Sequence, residues 1–525
     1  MKILVADPIS LKGVELLKNE GLDVVFKTGL THSELKTEIV GYTGLIVRSE
    51  TKVSEEVISQ GQKLQVIGRA GVGLDNIDVD AATKRGIIVM NTPDGNTNTT
   101  AEHALAMLLS LARHIPQATF SLKSDRWEKK RFIGVEILGK TLGIIGLGRI
   151  GSSLAKKVLA LGMKVIAFDP YISNEIARQM GTRLVELEKL LSESDFISVH
   201  VPNTEQTFRM LSHKEFQRVK KGARIINCAR GGIIDEEALF QAIKSGQIAG
   251  AALDVFEKEP PHANPLLKLD EVVCTPHLGA STEEAQEKVA IAIAQQFVDY
   301  FKKGEIYNAV NLPALDAGTL EVLSPYLELA EKLGTINAHL VGGGGKEVAV
   351  HYYGEICELA LKPITLAVLK GILQPFLKET VNMVNAPVLA MERGIKVTES
   401  TTSERETYAS LIEIKLVTQK GEGTISGTLF EKKVPRILSI DHYQLEAIPS
   451  PNMLIFSNLD TPGVIGSIGT ILGRNNINIA GMHLGRTAPE GLAMCIVNVD
   501  NPVPEEVLQE IRSLPTIFSA KMIRL

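Results

Sequence analysis

The stretch Thr141-Leu-Gly-Ile-Ile-Gly-Leu-Gly-Arg-Ile-Gly151 constrains this chain more than any other. Leu142 to Ile145 is short, apolar and branched, the composition of a strand buried on both faces. Gly146, Gly148 and Gly151 follow as G-x-G-x-x-G. Ser152 to Leu161 reads as a helix with Leu154, Val158 and Leu161 on one side. In such a loop the first glycine allows a tight turn, the second lets a pyrophosphate approach the backbone, and the third lets helix and strand pack closely. The helix start offers N–H groups and a positive dipole end to the phosphates. A second apolar run, Lys164 to Phe168, ends at Asp169. A carboxylate there can accept both ribose hydroxyls of NAD and would repel the 2′-phosphate of NADP. Alone, the glycines could mark an ordinary turn. With strand, helix, second strand and acid in register, they point to a dinucleotide fold.

A chain of 525 residues has room for about three to four such domains. The formal net charge of -5 gives neither nucleic acid nor an anionic membrane an attractive field. No apolar run is long enough to span a bilayer, and Met1-Lys-Ile-Leu-Val-Ala-Asp7 reads as a strand rather than a leader, so a cytoplasmic protein is expected. Cys228, Cys274, Cys357 and Cys495 lie far apart without C-x-x-C, which favours free thiols over disulfides or a metal site.

Residues 1 to about 95 alternate strand and helix patterns, implying an open parallel sheet with right-handed crossovers. Ligands on such sheets lie beyond the carboxyl ends of the strands, where Arg48 and Arg69 fall. Either could be a surface cation. The glycines around Arg69, Gly71 among them, favour an anion loop. Thr99 to Arg113 is a long helix with Leu105, Leu108 and Leu109 on its apolar stripe, leading out of the first domain. Trp127, the only tryptophan, follows in a charged segment and is expected to pack against another domain or subunit. Asp235 is expected to cap a helix. The amphipathic helix from Ser281 to Tyr300 is expected to cross back, so that the first domain is built from both ends of this region.

Residues 312 to 450 read as α+β, with strands at Lys346 to Tyr352, Ala409 to Val417 and Gly421 to Phe430. Residues 451 to 525 read as a ferredoxin-like β-α-β-β-α-β tail. The chain is thus expected to be α/β: two doubly wound parallel-sheet domains, flavodoxin-like then Rossmann, followed by an α+β domain and a ferredoxin-like one. The expected boundaries are 1–97 (completed by 284–311), 98–283, 312–450 and 451–525.

Arg230, Glu259 and His277 each follow a strand of the dinucleotide region. Hydride transfer from an alcohol needs a base for the hydroxyl proton, and His277 suits that near neutral pH. Glu259 would stabilise its imidazolium, and Arg230 could grip a carboxylate and polarise the adjacent carbonyl. Singly, each has a plain alternative: a surface cation, a loop acid beside Pro260, a structural histidine. No metal is required. Cys228, near this chemistry, reads as a small buried thiol.

The motifs Gly146 to Gly151 with Asp169, Asn227-Cys-Ala-Arg-Gly-Gly-Ile-Ile-Asp-Glu236, Ala252-Leu-Asp-Val-Phe-Glu-Lys-Glu-Pro260 and Thr275-Pro-His-Leu-Gly-Ala280 resemble the D-2-hydroxyacid dehydrogenases over about residues 1 to 310. That resemblance implies the catalytic trio Arg230, Glu259 and His277. It also implies NAD contacts from Gly146, Gly148, Arg149, Ile150, Gly151, Asp169, Val201, Cys228, Ala229, Arg230, Asp254, His277, Leu278, Gly279 and Ala280. Val201 stands where relatives often have threonine and can offer only its backbone. The domains that follow make the whole chain similar to the long-form D-3-phosphoglycerate dehydrogenases. Leu459-Asp-Thr-Pro-Gly-Val-Ile-Gly466 and Asn475-Asn-Ile-Asn-Ile479 resemble an ACT domain. This implies oxidation of 3-phosphoglycerate, with Arg48, Ser49, Arg69, Gly71, Asn96, Arg230 and His277 at the substrate. L-serine is implied as effector near Asp460 and Asn478, and a homodimer or homotetramer as the assembly. A plain dimerising ACT pair stays open, as do other hydroxyacid substrates (glyoxylate, hydroxypyruvate, 2-oxoglutarate) and an NAD-sensing corepressor.

Overall fold

The buried branched runs become parallel strands. The computed structural model describes residues 1–377, 380–404, 408–488 and 491–525. Two units divide the chain: Met1–Pro8, Gly13–Asn91 and Ile293–Leu525 form one, and Ile9–Lys12 with Thr92–Ala292 the other.

The first unit opens with β1 (Lys2–Val5), β2 (Asp23–Phe26), β3 (Gly44–Val47), β4 (Val66–Arg69) and β5 (Ile88–Met90). All pair parallel in the order β2-β1-β3-β4-β5, the flavodoxin-like arrangement. The last turns of the helix Glu283–Lys303 lie against this sheet. Buried Phe297 fills the space left by Gly44 and Gly68, where an added Cβ would come within 2.8 and 2.4 Å of its ring.

In the second unit β6 (Thr141–Ile145), β7 (Lys164–Phe168), β8 (Arg183–Leu184), β9 (Phe196–Val199), β10 (Ala223–Asn227), β11 (Ile248–Leu253) and β12 (Val272–Cys274) form a parallel sheet ordered β12-β11-β10-β9-β6-β7-β8. The order reverses between β6 and β9, so the glycine loop after β6 sits at the topological switch point. The helices Thr97–Arg113 and Arg149–Ala160 bury Ala104, Met107, Leu108, Leu154 and Val158 against Leu142, Ile144 and Ile226. The opposite face joins Ile145, Ile197 and Ile225 to Leu190 and Leu239.

Two expected core residues are exposed. Leu161 lies past the last full turn as the C-cap, and Leu109 follows buried Leu108, which rotates it about 100° off the stripe completed by Met107 and Leu111. The helix Ile115–Lys123 had no reading in the sequence. Asp235 caps as expected, accepting from Ala238 N at 3.0 Å.

The rest of the first unit carries two more sheets. β13 (Gly345–Gly354), β14 (Lys396–Thr402), β15 (Ser410–Thr418), β16 (Glu422–Phe430), β17 (Val434–Ile440) and β18 (Tyr443–Ala447) are ordered β14-β13-β15-β16-β17-β18, antiparallel except for β13 with β14. The helices Ala317–Val341 and Leu361–Leu373 approach closely through Gly334 and Gly371, whose missing Cβ atoms would meet Val368 and Glu331 carbonyl oxygens at 2.5 and 2.1 Å. β19 (Asn452–Leu459), β20 (Ile479–Arg486), β21 (Leu492–Val499) and β22 (Ile517–Arg524), ordered β20-β21-β19-β22 with helices Val464–Arg474 and Glu505–Arg512, make the ferredoxin-like tail.

Candidate active site at the strand ends of the seven-stranded sheet

Gly146 leaves β6 with φ of +92°, and a Cβ there would lie 2.6 Å from the His200 carbonyl oxygen and 2.7 Å from Val201 Cγ1. A Cβ on Gly151 would sit 2.1 Å from the Gly146 oxygen, so the helix can enter this close only with glycine. At Gly148 a Cβ would point into space with no atom within 4 Å. Gly148 is also the N-cap of Arg149–Ala160 without a side-chain cap, which leaves N–H groups for a phosphate. Asp169 accepts from Leu147 N at 2.8 Å and Tyr171 N at 2.9 Å, one bond to each carboxylate oxygen. A carboxylate oxygen takes two donors, so both retain capacity for a ribose diol. An open backbone, helix N–H groups and an oriented carboxylate fit NAD. Arg149 pairs with Asp94 at 3.1 Å on the exposed rim, and Ile150 packs on the core.

At the far strand ends, Arg230 follows β10 in a turn fixed by Asn227, which donates to the Arg230 carbonyl at 2.9 Å and accepts from Ala229 N at 3.0 Å. Arg230 Nη1 donates to the Ala229 carbonyl at 2.7 Å. Gly231 lets this turn touch the one after β11: a Cβ would stand 1.8 Å from the Phe256 oxygen. That second turn carries Glu259. Its Oε1 accepts from Phe256 N at 3.1 Å, and its Oε2 meets His277 Nδ1 at 2.8 Å. Glu236 ties the turn to the next helix, accepting from Glu257 N and Asn264 Nδ2.

His277 itself has φ of +56°, and its N–H donates to the Asp254 carbonyl at 2.9 Å. The hydrogen bond to Glu259 raises its pKa above the ordinary histidine value. Burial and Arg230 oppose this, while the charges of Glu259 and Asp254 add to it. Burial pushes Glu259 up, but the bond to His277 and the Phe256 N–H outweigh it and hold it low. With Nδ1 turned to Glu259, Nε2 is the nitrogen left to exchange a proton with a substrate.

Asp254 is fully buried and accepts from Thr275 Oγ1, Leu278 N and Gly279 N at 2.6, 2.7 and 2.8 Å, with His103 Nε2 at 3.2 Å. Burial would raise its pKa, but these donors outweigh it. Cys228 is a buried free thiol, as expected, and that burial raises its pKa.

Asn96 Oδ1 and Thr100 Oγ1 are buried without a hydrogen-bond partner at the start of the helix Thr97–Arg113. In the other unit, Arg48 and Arg69 stand at the ends of β3 and β4. Asp7 accepts from Arg48 N, and Asn76 joins the two turns, donating to the Arg48 carbonyl and accepting from Arg69 Nε. Ser49 is exposed beside them, and Gly71 faces the Arg69 guanidinium. In the tail, Asp460 pairs with Arg486 at 3.2 Å and Asn478 donates to Asp500 at 2.8 Å.

Sequence reasoning missed His103, Thr275, Asp7 and Asn76. His103 lies mid-helix among alanines and leucines, where no spacing marks it. Asp7 and Asn76 act on backbone groups of distant turns, which leaves no local signature.

A dinucleotide cradle at the switch point and a histidine–carboxylate pair at neighbouring strand ends define a nicotinamide-dependent dehydrogenase. Residues 105–279 match the model of the D-isomer specific 2-hydroxyacid dehydrogenase NAD-binding domain, 322–441 that of the D-3-phosphoglycerate dehydrogenase intervening domain, and 452–516 that of the ACT domain. The chain is 47% identical to D-3-phosphoglycerate dehydrogenase of Archaeoglobus fulgidus, over 100% of both chains. It is 45% identical to D-3-phosphoglycerate dehydrogenase of Synechocystis, over 100% of this chain and 95% of that one. The structure of D-lactate dehydrogenase from Aquifex aeolicus, complexed with NAD and lactic acid, superposes with a TM-score of 0.52 and 29% identity, over 60% of this chain and 100% of that one. The chain belongs to the D-3-phosphoglycerate dehydrogenase family, and NAD is its cofactor.

Proposed function

We propose that the protein oxidises 3-phospho-D-glycerate to 3-phosphohydroxypyruvate. The observation that carries this is the His277–Glu259 pair at 2.8 Å beside Arg230, in a chain with full-length likeness to D-3-phosphoglycerate dehydrogenases. NAD, held along the cradle after β6, would supply the acceptor for the hydride of the carbinol carbon. His277 Nε2 takes the hydroxyl proton, and Glu259 stabilises the resulting imidazolium. Arg230 holds the substrate carboxylate and polarises the forming carbonyl. Asp169 and the Gly146–Gly151 loop hold the nucleotide, with Arg149, Ile150, Val201, Ala229, Asp254 and Leu278 to Ala280 along it. Arg48, Ser49, Arg69, Gly71 and Asn96 supply substrate contacts, which suits a dianionic phosphate ester. Steady-state assay with 3-phosphoglycerate and NAD tests the reading: His277→Ala is expected to lower kcat by about 10²–10⁴. Unchanged activity would overturn the mechanism.

A second reading, another small 2-hydroxyacid, draws on the likeness of the core to D-lactate dehydrogenase. A panel of lactate, hydroxypyruvate, glyoxylate and 2-oxoglutarate decides between them.

The same proposal includes first step of phosphorylated serine synthesis, a cytoplasmic place, a homodimer or tetramer, and the four-domain division at 97, 283, 311 and 450. No helix among the described residues is long and apolar enough to cross a membrane. L-serine is proposed as effector at Asp460 and Asn478. Isothermal titration of the full chain with L-serine tests this, with Asn478→Ala as control.

A further inference from the structure

The catalytic trio leaves a second histidine–carboxylate contact unexplained. His103 projects from the helix Thr97–Arg113 toward the strand ends, 18% exposed, and its Nε2 lies 3.2 Å from both Asp254 Oδ1 and Thr275 Oγ1. Those two atoms are bonded to each other at 2.6 Å. A threonine hydroxyl has one hydrogen, and a carboxylate can only accept, so Thr275 spends its hydrogen on Asp254. The hydrogen in the His103 contacts must then sit on His103 Nε2. It points at Thr275 Oγ1, beside Asp254 Oδ1, which already takes the Thr275 hydroxyl and the Leu278 N–H, and only a side chain that donates there satisfies the geometry.

Asp254 is where this matters. Its carboxylate gathers the Leu278 and Gly279 N–H groups, and its carbonyl takes the His277 N–H. The left-handed turn that presents His277 therefore draws three of its N–H bonds from one buried residue, with the Thr275 carbonyl sharing the His277 N–H at 3.0 Å. Thr275 Oγ1 lies 3.8 Å from Met107 Sδ on the same helix, a second contact between helix and turn.

We propose that His103 is a positioning residue for the hydride-transfer site: its Nε2–H fixes the Asp254 carboxylate and Thr275 together, and so sets where His277 stands and how much negative charge it feels. The inference rests on the reading of His277 as the base.

The charged and titratable groups facing the arrangement come from each packed element of the unit. Asp254 and Glu259 follow β11, and Cys228 and Arg230 follow β10. Cys274 ends β12. Glu102 lies on the helix of His103, and Lys157 on the adjoining helix pairs with it at 3.8 Å. Asp254 raises the proton affinity of His277, and Arg230 lowers it. Removing the His103 donor leaves the Asp254 charge less compensated, so His277 holds its proton to higher pH.

The test uses the full chain and the pH dependence of kcat/KM with 3-phosphoglycerate. His103→Leu is expected to move the acid limb upward by about half a pH unit, a roughly threefold loss on that limb. His103→Gln, which keeps an N–H donor of similar reach, is expected to restore it. His103→Asn, with the donor one bond short, is expected to behave as His103→Leu and serves where that variant does not fold. An unmoved limb with lower kcat shows a structural residue only and overturns the proposal. So does a Gln variant no better than Leu. NMR titration of the His277 imidazole in ring-labelled protein, assigned among 11 histidines with His277→Ala, reads the same shift without turnover. If the native chain does not oxidise 3-phosphoglycerate, the functional reading fails, and this titration still decides the role of His103.

Discussion

The proton-accepting power of His277 is set by its neighbours rather than by the imidazole alone. The Glu259 bond raises its pKa and is the largest influence on it. Glu259→Gln removes that charge, so His277 loses its proton at lower pH. The acid limb of kcat/KM is expected to move down while kcat falls about 10–100-fold, because the imidazolium formed in the reaction is no longer balanced. A pH series between about pH 5 and 9 checks this around the ordinary histidine value; a limb that stays in place would refute the pairing. The sign for stability follows from the same shift. A histidine whose pKa is raised by folding adds stability below its unfolded value, and loses it as pH rises through the folded value. Both side chains are more than a third exposed, so solvent screening leaves melting temperature a poor readout and the rate profile the right one. Asp169 gives a second residue-scale prediction. Asp169→Ala removes the ribose acceptor and the charge opposing a 2′-phosphate. KM for NAD is expected to rise about tenfold or more, and activity with NADP to increase relative to the native chain.

Turns, more than strands, bring the site together. Gly231→Ala would drive a Cβ to 1.8 Å from the Phe256 oxygen, pushing apart the turns of Arg230 and Glu259. The backbone cannot yield as a side chain would. A loss of kcat of about 10²-fold is expected from misplaced reacting groups, with circular dichroism near native; an Ala variant of native kcat would show that the turns need no contact. This contact was invisible in the sequence, where Gly231 is one of two adjacent glycines. The strands were a different matter. β6, β7, β9, β10 and β11 are buried on both faces, so each reads as a branched apolar run stopped by polar or turn residues. The positions of the glycine loop and of Arg230, Glu259 and His277 at strand ends were legible because each follows a short apolar run. The later mixed sheet was read only in part. β14, Lys-Val-Thr-Glu-Ser-Thr-Thr, is an edge strand with little to bury, and β17 begins with Val434-Pro435. The helix Ile115–Lys123 escaped because its apolar residues Ile115, Phe120 and Leu122 face outward, reversing the pattern that marks a helix against its own core.

That reversal has a consequence for the whole molecule. Ile115, Phe120, Leu122, Trp127, Ile133 and Leu138 are all more than half exposed within one short run of the second unit, and Trp127 is 83% exposed. Trp127, expected to pack against another domain or subunit, is uncovered within its own unit. Large apolar side chains left exposed along one short run mark a contact with another molecule, and closed homo-oligomers are the commonest way to cover them. The proposed homo-oligomer would place this surface at the contact between copies. A stable contact needs about 1,000 Å² or more of buried area, which the segment could supply only as a block, so single changes should loosen it and combined ones break it. Trp127→Ser with Ile133→Ser and Leu138→Ser is expected to sediment as a smaller species than the native chain at micromolar concentration. The chain also carries its own reporter, since Trp127 is its only tryptophan. In the assembled protein its emission should be blue-shifted, as for a buried indole. On dilution through the dissociation range it should move to the red, in step with the change in sedimentation. Emission typical of an exposed indole at all concentrations, with unchanged sedimentation in the triple variant, would place the contact between copies elsewhere and leave this surface for a different partner.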